Sequence, residues 1–382
     1  MERPTTTRLL ALDGLRLLCA LAVAGYHLGL AWSIDNVRAT AAFMPAEARA
    51  VLIYGFLGVE VFFMISGFVI CMSGWGQNLR GFVASRAGRL FPAFWACVLI
   101  TAAVMTVFPL TSGVPLAHDL TGADIAVNLT MLAGPLNVPY VDTVYWTLWY
   151  ELRFYTVFGV LVLAGVTRLR VLVLGFGWLA ASLVVPPDVP LAELVMPQFA
   201  PYFVAGMTIY LIRRYGPGVA LWILLGAAYL VSLVRVAERV GAANPGFPVP
   251  VWPGLLIITL AFAALLAIAL GATDRWSWRW LAVAGAVSYP FYLLHPRIGF
   301  TMIRNAWERT GLPMPVLVVI AIAVLLVVAW LVHRLVERPA GPALRRLIAT
   351  ASPRNVLPRG EGGSARGPLD QVGGRAGLGG HR

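Results

Sequence analysis

Eleven residues after Arg16, in a stretch that is otherwise nearly all apolar, the chain has His27. At 100° per residue, eleven residues make close to three helical turns, so the two share one face about 16 Å apart along the axis. A charged side chain inside such a stretch costs several kcal/mol unless it is paired or wet, which makes each one a candidate for function. His27 could act as a general base or serve only as a hydrogen-bonded packing residue. Glu60, in Gly58-Val59-Glu60-Val61-Phe62-Phe63, could partner an arginine or orient a histidine. Arg86 and Arg89 stand three apart and lie side by side if helical, where their forks suit the phosphates of a cytosolic substrate. Simple membrane anchoring would also account for them. Glu151 and Arg153 follow Tyr145, Trp146, Trp149 and Tyr150, an interfacial aromatic belt that does not explain the two charges. His295 closes Ser288-Tyr289-Pro290-Phe291-Tyr292-Leu293-Leu294-His295-Pro296, with either a functional or a structural role beside its proline. Cys19, Cys71 and Cys97 have neither disulfide nor zinc spacing and read as small packing residues, so no metal site is expected.

Positioning these residues requires many helices in lipid. The chain of 382 residues is 59% hydrophobic and 12% charged, against roughly 25% charged for a soluble protein, which excludes a soluble enzyme. At about 20 apolar residues per crossing, ten spans are expected. They fall near 9–31, 51–73, 88–110, 143–165, 170–186, 193–212, 218–235, 252–271, 279–300 and 313–335. Asp13 and Arg16 interrupt the first run, and no cleavage pattern follows it, so it reads as a retained span and not a signal peptide.

The net charge of +12 comes from arginine alone, since there is no lysine. Arg80, Arg86, Arg89, Arg168, Arg170, Arg213, Arg214, Arg275 and Arg279 gather on one side, while 111–142 opposite them is acidic and free of arginine. The positive-inside rule then puts both termini in the cytoplasm, with Arg235, Arg239, Arg304 and Arg309 as exceptions. Membrane orientation explains this charge better than nucleic acid does. The expected fold is an all-α polytopic membrane protein of about ten transmembrane helices in the cell (plasma) membrane. Its domain spans 1–348, and the Gly/Arg/Pro-rich tail 349–382 has too few apolar residues to fold.

Taken in order along the chain, these strings resemble acyltransferase family 3, the integral-membrane enzymes that O-acylate surface glycans, antibiotics and related acceptors. The resemblance covers roughly 8–346. It is carried by Leu12-Asp13-Gly14-Leu15-Arg16 with His27, by Arg86/Arg89 followed by Leu90-Phe91-Pro92, and by Trp146-Thr147-Leu148 with Glu151 and Phe154-Tyr155. Ser288-Tyr289 with Tyr292-Leu293-Leu294-His295, and Val336-Glu337-Arg338-Pro339, resemble its closing motifs. Glu60 stands where the family usually has aspartate.

The resemblance implies transfer of an acyl group, acetyl by preference, from cytosolic acyl-CoA to a hydroxyl of a glycan, glycolipid or secondary metabolite, with no bound cofactor. It implies that Arg86 and Arg89 hold CoA phosphates and that His27 is the base or an acyl carrier. Arg16 would stabilise an oxyanion or line the acyl path, and Glu60 or Glu151 would orient His27 or pair with Arg16. Tyr289 and His295 are additional candidates. The rival reading is a transporter or flippase using the same buried charges, which would show inverted repeats or paired broken helices. No such pair stands out.

Overall fold

The computed structural model describes residues 9–34, 38–109, 113, 120–186, 188–243 and 249–350. Of the tail expected to be unfolded, Ala349 and Thr350 end a helix, and the part beyond Thr350 lies outside the described residues, as do His118 and Asp119 of the acidic segment. Among the described residues the protein is all-helical, with one isolated bridge between Ser33 and Ala39. Ten long helices run α1 (Leu10–Leu30), α2 (Gly58–Gly74), α3 (Leu79–Val107), α4 (Trp146–Ala164) and α5 (Arg168–Val184). They continue α6 (Ala200–Tyr215), α7 (Val219–Ala243), α8 (Trp252–Leu270), α9 (Arg279–Thr310) and α10 (Met314–Val332). A further helix, α11 (Arg338–Thr350), follows the π-helical turn His333–Glu337.

Helix is the form that satisfies backbone polar groups within the segment itself, as an apolar solvent demands. Among the described residues, eight helical stretches are long and apolar enough to cross a membrane. The other two long helices are α5, which has 17 residues, and α9, the most polar of the ten. Local chemistry sets the ends. Asn78 caps α3 by accepting the Gly81 N–H at 2.7 Å, and Thr167 caps α5 by accepting that of Arg170 at 3.3 Å.

Two of the boundaries that differ from the sequence expectation matter most for the site. The second expected span, 51–73, is broken into a short helix Ala46–Leu52, a 3-10 turn Gly55–Leu57 and α2. Glu60 therefore sits in the first turn of α2 and not near its middle. Helix α3 begins at Leu79 instead of 88, so Arg86 and Arg89 are both helical and share a face.

Four helix pairs form the frame: α2 with α6, α1 with α9, α9 with α10, and α3 with α11. In the α2–α6 pair the backbones nearly touch. A Cβ on Gly67 would collide with the Phe203 carbonyl, and one on Gly206 with the Met64 carbonyl. Small residues at a crossing allow this approach where no hydrophobic effect drives helices together. The α1–α9 pair brings the two histidines into range.

Candidate active site

His27, near the end of α1, and His295, in the middle of α9, lie 268 residues apart in sequence and meet with Nδ1 of the first 3.0 Å from Nε2 of the second. His295 is fully buried, and its Nδ1 is 2.9 Å from the Tyr292 carbonyl oxygen. A carbonyl only accepts, so Nδ1 of a neutral His295 carries the proton and donates it. Its Nε2 then holds a lone pair and accepts from the Nδ1–H of His27. The Nε2 of His27 is left with a free lone pair, the form a base requires.

The carbonyl at Tyr292 is free for this role because of Pro296. Proline has no N–H, so the oxygen four residues earlier loses its helical donor. His295 takes that place. One residue further on, Asp142 accepts the backbone N–H of Arg297 at 3.1 Å, tying the chain just before α4 to the same turn of α9. Both Asp142 and Arg297 are buried.

From the end of the bundle that carries Arg80, Arg86 and Arg89, a cavity of about 320 Å³ leads toward this pair. Its walls bring together Arg16 of α1, Arg86 and Arg89 of α3, Glu151 of α4, and Tyr289 and Tyr292 of α9. Glu151 accepts a hydrogen bond from the Tyr155 hydroxyl and one from Ser66 Oγ at 3.2 Å. Arg86 donates to Ser85 Oγ at 3.1 Å. Arg89 forms an ion pair with Glu337 and lies 5.7 Å from the centre of the Tyr289 ring. The Tyr289 hydroxyl donates to the Leu90 carbonyl at 3.3 Å. At the inner end, the rings of Tyr292 and His295 are 5.6 Å apart, and the Tyr292 hydroxyl donates to Thr147 at 3.2 Å. Two wider cavities, of about 660 and 670 Å³, open at the arginine end and share Arg89 with the inner one.

Of the residues singled out from sequence, Arg16, Arg86, Arg89, Glu151 and Tyr289 meet in this cavity, while His27 and His295 meet beyond its inner end. Glu60 joins neither group. Its Oε1 is 2.7 Å from Nε of Arg239, so the expected pairing with Arg16 or His27 is replaced by a pair with a residue of α7. The first turn of α2 packs against the middle of α1, with Gly58 against the Cys19 carbonyl, and there it is Arg239 that reaches Glu60. The Arg239 guanidinium also lies over Phe56, Trp146 and Phe199, at 5.0 to 5.7 Å from the ring centres. Glu151 does not orient His27 either, because His295 occupies that position. Arg16 is one helix face along from His27 but about 16 Å away, too far to meet an oxyanion formed there, and it lines the approach instead. Arg153 pairs with Glu193 and stacks on Tyr150 at 4.0 Å, away from the cavity.

Sequence reasoning missed Arg239, Glu337, Pro296 and Asp142 as members of the site's surroundings. Arg239 was visible only as an exception to the orientation rule. Its place against the orientation rule is explained by the buried carboxylate of Glu60. Glu337, 7% exposed, takes both Arg89 and Nδ1 of His333, the latter at 3.0 Å.

Residues 9–334 match the family model described as an acyltransferase domain, that of acyltransferase family 3. Acyltransferase MdmB of Streptomyces mycarofaciens is 27% identical over 391 aligned positions, covering 91% of this chain and 96% of that protein. Exopolysaccharide production protein ExoZ of Rhizobium meliloti is 27% identical over 75% of this chain and 89% of its own length. Peptidoglycan O-acetyltransferase OatA of Listeria monocytogenes is 30% identical over a shorter stretch, 24% of this chain and 12% of that protein. No solved structure matches. Relatives of this kind fit an enzyme and not the transporter that the buried charges alone would also have allowed. The chain belongs to acyltransferase family 3 and is a multi-pass membrane acyltransferase of the O-acetyltransferase type.

Proposed function

We propose that the protein moves an acyl group, acetyl by preference, from cytosolic acyl-CoA to a hydroxyl of a glycan, glycolipid or secondary metabolite, across the plasma membrane. One observation carries this reading. An arginine-lined cavity narrows from one end of the bundle toward a histidine pair whose hydrogen bonds leave Nε2 of His27 basic. The donor's nucleotide stays at the arginine end, taken here as cytosolic, and its uncharged pantetheine arm extends inward so that the thioester lies at His27. The acceptor reaches His27 from the opposite side.

In the reaction, Nε2 of His27 takes the proton of the acceptor hydroxyl as its oxygen attacks the thioester carbon. A C–O bond forms, the carbonyl becomes an oxyanion, and its collapse breaks the C–S bond. The CoA thiolate leaves and receives the proton held by His27. Acceptor and acyl-CoA have then become acyl ester and free CoA, with the enzyme restored. His295 shares the positive charge on His27 through the Nδ1–H to Nε2 bond. Two of the relatives, a peptidoglycan O-acetyltransferase and an exopolysaccharide production protein, favour a carbohydrate acceptor.

The test uses sealed vesicles of known orientation, with labelled acetyl-CoA on one side and a membrane-impermeant hydroxylated acceptor on the other. Transfer is expected with the two on opposite sides. His27→Ala should lower it by about 10²–10⁴, the usual loss on removing a general base, with the protein still folded. Transfer only when both share one compartment, or near-normal turnover by His27→Ala, would overturn the reading.

A further inference from the structure

The two outer cavities hold more positive charge than Arg86 and Arg89 supply. The cavity of about 660 Å³ is walled by Arg16 and Arg89 together with Arg334 and Arg338, and that of about 670 Å³ by Arg89, Arg338, Arg345 and Arg346. Asp13 and Glu337 are the carboxylates in these walls. Glu337 is already engaged by Arg89 and His333. Among the described residues, Arg334, Arg338, Arg345 and Arg346 form no ion pair. Arg334 rests 5.5 Å from the centre of the Trp330 ring, and Arg346 Nε donates to its own helix at the Pro342 carbonyl.

The fold holds this helix firmly in place. Helix α11 crosses α3 where Gly88 and Gly341 face each other, so that a Cβ on either would stand 2.7 to 2.8 Å from the carbonyl of the other. Arg80 of α3 donates from Nε and Nη2 to the Ile348 carbonyl at 2.9 and 2.8 Å, fastening the far end. Orientation in a membrane needs arginines only on the correct side. It does not need them to converge on cavity walls from α1, α3, α10's end and α11.

Resting on the acyl-CoA reading above, we propose that α11 and the turn before it form the nucleotide-phosphate subsite of the donor, with Arg334, Arg338, Arg345 and Arg346 as its phosphate ligands. Guanidinium forks match phosphate geometry, and unpaired ones need no partner to be displaced first. Cavities of this size are in the range of small-ligand sites. The arrangement divides the donor by chemistry: its charged nucleotide in the outer cavities, its uncharged arm in the narrow inner one.

The test compares acetyl-CoA with S-acetylpantetheine, which lacks the nucleotide, using the full chain in vesicles. Arg338→Gln with Arg345→Gln should raise KM for acetyl-CoA about tenfold or more, the loss of one or two charge-assisted bonds. KM for S-acetylpantetheine and kcat with either donor should stay the same. Arg345→Gln and Arg346→Gln alone, both exposed, repeat the test should the double variant be lost from the membrane. Arg345→Lys should recover part of the loss. An equal rise with both donors, or none, overturns the subsite while leaving the donor reading intact. A loss seen for both donors and only in vesicles of anionic lipid marks α11 as a membrane anchor, which also overturns it. If the wild type transfers from neither donor, the donor reading fails and takes the subsite with it.

Discussion

His295 contributes a lone pair and a position, and side chains that keep or remove the lone pair separate its role from that of His27. Gln places an oxygen near where Nε2 of histidine lies and can accept the Nδ1–H of His27, whereas Leu cannot. His295→Gln is expected to retain a sizeable part of kcat, and His295→Leu to fall toward the level of His27→Ala, with donor KM unchanged in both. Equal activity of the Gln and Leu variants would show that the hydrogen bond between the histidines is not what prepares His27. At this scale the sequence was informative about residue type and uninformative about partners. His27, Arg86, Arg89 and Glu151 stand out because charge in an apolar run is costly. That His27 meets His295, or that Glu60 meets Arg239, depends on which helices pack together, and no local spacing encodes it. Glu60 was further obscured by the break at Gly55–Leu57, which hydropathy averages over.

At the scale of elements, the long helices could be read from apolar runs because span length in lipid is fixed by bilayer thickness. Their polar interruptions were harder to interpret. Pro296 is one of two prolines inside α9, and in sequence it marks a kink. In the structure it also vacates the Tyr292 carbonyl that fixes the proton on His295. Pro296→Ala restores an N–H that competes for that oxygen and straightens the turn. We expect kcat to fall about tenfold, well short of the loss on removing the base itself, with KM for donor and acceptor unchanged and the protein at least as stable to heat. A straightened helix with wild-type kcat would separate the proline from the chemistry. Helix α11 was the least legible element, since it lies past the last expected span, which ends near 335. Only the Gly88–Gly341 crossing, between residues 253 positions apart, reveals that its arginines wall a cavity.

For the molecule as a whole, the proposed entry of a donor from one side and an acceptor from the other would put a cavity open to water deep inside a barrier. The inner cavity is stopped by aromatic rings, Phe62 set edge-on to Tyr292 at 5.4 Å between centres, with the histidine pair just behind. On the two-sided reading, those rings would have a second duty, that of electrical insulation. A cell maintains a proton gradient worth about 2.3 kcal/mol per 100 mV for each charge crossing, and a file of water touching two histidines is a ready route for dissipating it. Phe62→Ala should make vesicles containing the protein leak protons, read by an entrapped pH-sensitive dye, even with no substrate present. Vesicles as tight as those with wild type would place the seal elsewhere. The narrowness that limits which acyl chains can reach His27 would then be set partly by bioenergetics, since a wider gate would accept longer chains at the expense of the membrane potential.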